Sequence, residues 1–119
     1  MSDAQPTDAY RCGQLYAALA ALERLSAPNA KATLDRPGAR ATASKNPRGA
    51  LKDHLDRVVT YLMRAQNQRR GEASVAIFRS IPDLLPRTRE LPGSLTSAQQ
   101  EEFCDGWHAQ VQALDTAPR

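Results

Sequence analysis

A chain of 119 residues with 41% apolar and 24% charged residues has room for one domain and a modest core. No run approaches the roughly 18 apolar residues of a spanning helix, and the polar start, Met1 to Thr7, lacks the basic and apolar regions of a secretory signal. The formal charge of +3 hides an uneven distribution: residues 1–30 carry −1, residues 31–70 carry +7 and residues 71–119 carry −3, so the middle is a footprint compatible with a polyanion.

Asp8 to about Leu25 reads as the first helix. Cys12, Leu15, Leu19 and Leu22 recur at helical spacing, Asp8 is the expected cap, and the alanines at 17, 18, 20 and 21 favour helix and close packing. Residues 26–46 lose this period and read as a long basic surface loop that buries no face. A second helix is expected from Asn46-Pro47, as cap and first turn, to about Gln68, with Gly71 as its stop. Its stripe of Leu51, Leu55, Val58 and Leu62 spans about 60° on the wheel and leaves Tyr61 outside.

Val75, Phe78 and Ile81 predict a short helix that breaks or restarts at Pro82. Pro92, Gly93 and Ser94 form a turn. Thr96 and Gln99 form a capping box for a last helix carrying Phe103, Trp107, Val111 and Leu114, in which Gly106 permits a close contact. No segment alternates with a strand's period. The expectation is one all-α domain, residues 1–119, a compact bundle of four to five helices with flexible tails at 1–7 and 115–119.

The sequence carries no constellation of catalytic groups. There is no phosphate-cradling glycine loop, no nucleophile elbow and no paired carboxylates with an acid–base division, so the chain reads as no enzyme and with no cofactor. Cys104 and His108, one helical turn apart, could join Cys12 and His54 around zinc, but ligands gathered one by one have no local template, and no metal is expected. Two cysteines make no disulfide framework, which points to the cytoplasm. Phe78, Phe103 and Trp107 read as core residues. Tyr61, between His54 and Arg57 on the wheel, is the best aromatic candidate for stacking on a base.

Two stretches together resemble a known family. Ala9-Tyr10-Arg11-Cys12-Gly13-Gln14-Leu15-Tyr16-Ala17 is similar to the "AYxxGRLxAxLE" opening of the C-terminal small-subunit region in the type I-C CRISPR Cascade large subunit, and Asn29-Ala30-Lys31-Ala32-Thr33 to its "NAT" element. Leu91-Pro92-Gly93-Ser94-Leu95-Thr96, Gln99-Gln100 and Phe103 to Gln110 resemble its "FPxxLsxeeQxxFxxGYyhQ" ending. The order and separations agree over roughly residues 8–114. The family's "DRYFG" loop reads Asp35-Arg36-Pro37-Gly38 here, without its two aromatics, and its Tyr pair becomes Trp107-His108.

The resemblance implies a helical, non-catalytic small subunit, sometimes translated from an internal start, which a chain beginning at Met1 suits. It implies packing along the complex belly against the large and backbone subunits and further copies of itself. Guide RNA would be met indirectly, the displaced single strand of target DNA directly, and no membrane at all. Together with the basic middle, this marks Arg48, Lys52, Arg57, Arg64, Arg69 and Arg70 as phosphate contacts, with Lys31, Arg36, Arg40 and Lys45 as mobile helpers. The alternative is a helical protein–protein adaptor that does not touch nucleic acid.

Overall fold

The computed structural model describes residues 7–26, 33–67, 71–85 and 91–116. Among these residues there is no strand. The elements are α1 (Asp8–Ser26), a 3-10 turn (Thr33–Asp35), α2 (Ala39–Lys45), α3 (Pro47–Asp56), α4 (Val58–Asn67), α5 (Gly71–Leu84) and α6 (Ser97–Thr116). The all-α expectation holds, with six α-helices rather than four or five.

The central element is α1. The sequence pattern marks one apolar stripe, yet Leu15 to Ala20 are buried without interruption, and α6, α4 and α5 pack around the helix. Small alanines between the leucines make every side of α1 able to receive a neighbour. Thr7, not Asp8, caps it: its Oγ1 accepts from the Tyr10 N–H at 3.1 Å. On the α5 side, Arg11 Nη1 donates to the Asp83 carbonyl at 2.6 Å, placing a cation at the end of that helix.

α6 crosses α1 through two glycines. A Cβ on Gly13 would run into the Phe103 carbonyl, and one on Gly106 into the Tyr10 carbonyl, so each helix offers the other a bare backbone. The close contact expected at Gly106 is present, and Gly13 is its counterpart. Phe103 is fully buried and meets Tyr16 edge-on, ring centroids 5.9 Å apart. Thr96 and Gln99 form the expected capping box. The Gln99 N–H donates to Thr96 Oγ1 at 3.2 Å, and the Thr96 N–H to Gln99 Oε1 at 2.9 Å.

Between Thr33 and Asn67 the outcome differs from the expectation. In place of a loop, the described part of 26–46 forms the 3-10 turn and α2, burying Leu34, Ala43 and Ser44. Alanines and a lysine suffice for a short helix once Leu34 anchors it and Gly38, at φ 82°, turns the chain into it. The expected second helix is two helices. Asn46 caps α3 as expected, accepting from the Gly49 N–H at 3.0 Å, but the helix breaks at Arg57, which takes φ −101° and ψ 4°.

The three β-branched residues that follow, Val58, Val59 and Thr60, weaken helix continuity there. After the break the buried face centres on Tyr61 and Ala65 rather than on the predicted stripe. Gly71 opens α5 instead of stopping the preceding helix. α5 runs without a break through Pro82 in its last turn, and its buried face is Ser74, Ile77, Ile81 and Leu84, with Val75 and Phe78 beside it.

The chain before α6 is stitched to the end of α2 and the start of α3. The Arg48 N–H donates to the Pro92 carbonyl at 3.0 Å and the Leu95 N–H to the Lys45 carbonyl at 3.1 Å, which seats buried Leu95. Of the expected tails, α6 takes in Asp115 and Thr116, Thr7 is the cap just described, and residues 1–6 and 117–119 lie outside the described residues.

Candidate nucleic-acid interface

The segment carrying Arg36 and Arg40 is held on α1 by a buried carboxylate. Glu23 accepts from the Leu34 N–H at 3.2 Å and from the Thr33 hydroxyl at 2.9 Å, while the Tyr16 hydroxyl donates to the Leu34 carbonyl. The single hydroxyl proton of Thr33 goes to Glu23, so Thr33 faces His54 Nε2, 3.3 Å away, as an acceptor. His54 therefore carries its proton on Nε2, and Nδ1 accepts from the Tyr61 hydroxyl at 2.9 Å.

Burial lowers the His54 pKa from 6.5 against the opposing pull of Glu23, and burial raises that of Tyr61. Tyr61 is thus an inward network residue, 5% exposed, and not the outward stacking aromatic that its place on a continuous helix suggested.

Over this support an open groove of about 830 Å³ lies between the 33–45 segment and α6. Arg24, Arg36 and Arg40 line it on one side, and Glu101, Asp105, Trp107 and His108 of α6 on the other. The Arg40 guanidinium lies over the Trp107 ring, 4.3 Å from its centroid, and His108 meets the same indole edge-on at 4.8 Å. Trp107 is half-buried, so it serves both the core margin and the groove.

The ten cations singled out in the sequence do not form one strip. Arg36 and Arg40 enter the groove. Lys45 ends α2 and is exposed. Arg48 is committed to the fold, its Nε donating to the Leu91 carbonyl at 2.8 Å. Lys52 and Arg64 stand exposed on α3 and α4, and Arg57 is exposed at the break. Lys31, Arg69 and Arg70 lie outside the described residues.

Arg24 was missed because it belongs to the acidic first third of the chain. Trp107 was missed as a surface residue because its helical spacing reads as core. The departure of the Trp107-His108 pair from the family pattern was the one available signal.

Both thiols are free; Cys12 is buried, and burial pushes its pKa up to about 12, while Cys104 lines the groove. Among the described residues no group of three or more His, Cys, Asp and Glu is placed to hold a metal, and no helix is long and apolar enough to cross a membrane.

Fold and groove together define an all-α domain that presents arginines beside an accessible indole. Residues 1–114 match the family model described as CRISPR-associated protein (Cas_Csd1), and the chain belongs to that family. No curated protein matches the chain.

Proposed function

We propose that this chain is a non-catalytic small subunit of a CRISPR interference (Cascade) complex. It packs along the complex belly against the large and backbone subunits and stabilises unwound target DNA, chiefly the displaced strand, by sequence-independent phosphate contacts. The observation that carries this reading is the family match over residues 1–114, and the net +7 of residues 31–70 supports it. Phosphate contacts need positive charge without fixed geometry, which suits exposed Arg36, Arg40, Lys45, Lys52 and Arg64.

The test is co-expression with a type I large subunit, backbone subunits and guide RNA, followed by size exclusion and target-DNA binding with and without the chain. Co-elution with tighter retention of opened duplex is expected. Replacing Arg36, Lys52 and Arg64 together by Glu is expected to weaken retention and flatten its salt dependence by up to about three counterions, with the fold intact. Failure to co-elute removes the proposal.

A second reading, protein–protein docking without nucleic acid, is favoured by one observation. Val59 and Met63, one turn apart on α4, are 53% and 59% exposed. Under that reading, co-elution persists at high salt and DNA retention does not change.

A further inference from the structure

The groove contains more than a phosphate-binding site needs. Backbone phosphates require cations alone, and Glu101 and Asp105 on its α6 wall oppose them. An acidic peptide meets the same opposition and gives Trp107 nothing to do. One unit of a nucleic-acid strand matches all three kinds of side chain present. Its phosphate suits Arg24 and Arg36, the flat face of its base suits the Arg40–Trp107 pair, and its N–H edge suits a carboxylate.

The pair is already assembled. The guanidinium lies 4.3 Å over the indole, His108 bounds that indole edge-on, and the groove is of a size that holds small ligands. The support below is rigid, because the segment carrying Arg36 and Arg40 hangs from buried Glu23 through Thr33 and Leu34.

We infer that this groove is a subsite for an unpaired nucleobase of a single strand, with Arg40 and Trp107 as the stacking platform. The inference rests on the reading of the chain as a nucleic-acid-holding subunit and deepens it. At this one place the base adds to binding, whereas elsewhere the strand is held by its phosphates.

Trp107 is the single tryptophan, so its emission reports this site alone. The full chain is titrated at low salt with a thymine homopolymer of roughly 20 nucleotides and with an abasic strand of equal length. The homopolymer is expected to quench Trp107 and to bind about tenfold more tightly than the abasic strand. Trp107→Leu removes that preference while keeping abasic binding, and Trp107→Phe keeps part of it. Should Trp107→Leu fail to fold by circular dichroism, Arg40→Gln serves instead, since Arg40 is exposed and its loss is expected to reduce both quenching and preference.

Equal affinity for the two strands with unchanged emission overturns the base subsite and leaves the phosphate reading standing. Thymidine monophosphate quenching as strongly as the homopolymer at equal nucleotide concentration overturns the assignment to a strand. No binding of either strand also overturns the inference, and the co-expression experiment then decides the parent reading by itself.

Discussion

The α1–α6 crossing and the 33–67 segment that flanks it are held by different forces. At the crossing, Gly13 and Gly106 bring two backbones together and Phe103 closes the space, so close packing leaves no slack. In the 33–67 segment, apolar anchors are few, and a chain of hydrogen bonds from Glu23 through Thr33 and His54 to Tyr61 joins α1, the 3-10 turn, α3 and α4. The first arrangement tolerates no added atom. The second tolerates surface change but is sensitive to charge and pH. Apart from Arg24 on α1, the described cations suited to a polyanion lie on the second, where solvent-facing helix sides are plentiful.

One carbon added at the crossing is expected to have the largest effect. Gly13→Ala or Gly106→Ala is expected to cost about 3 kcal/mol or more, read as a lower denaturant midpoint at unchanged slope. Helix propensity alone makes the same change favourable by about 1 kcal/mol, so the sign of the shift separates the two accounts.

Next comes Glu23→Gln, which replaces a charged acceptor with a neutral one beneath Leu34. A loss of about 1–3 kcal/mol is expected. Hydrogen exchange should show it as lost amide protection at Leu34 and along α2, with α1 and α6 protected as before.

A smaller effect follows from His54. Its folded pKa lies below the unfolded 6.5, so as pH falls the unfolded chain takes up this proton first. The stability from neutral His54 is complete above pH 6.5 and is lost as pH falls through the folded value, and His54→Gln should remove that part of the slope. Smallest is Arg48→Ala. Its bond to the Leu91 carbonyl is exposed to water, so a loss of about 0.5–1 kcal/mol is expected in thermal melts.

What was legible in the sequence was local. The Asn46-Pro47 start, the Thr96–Gln99 capping box and the spacing in the first and last helices depend on residues a few positions apart, and each stands where it was expected. The break at Arg57 was hidden because Leu51, Leu55, Val58 and Leu62 keep helical rhythm through it. Helicity in 39–45 was hidden because Ala, Thr and Ser residues carry no stripe. About half of the groove was legible: Arg36 and Arg40 stood out as charges, but nothing in their spacing connects them to a tryptophan some seventy residues away.

By itself, the sequence determined that this chain is helical, that its charge is gathered in the middle, and which family it belongs to, since propensity, caps and motifs act over a few residues. Tertiary structure alone decided that α1 is buried without interruption from Leu15 to Ala20, that Tyr61 points inward to His54, and that Arg40 lies on Trp107. Those outcomes depend on how separate helices meet, and the two glycines of the crossing set that meeting by letting α1 and α6 approach to backbone contact.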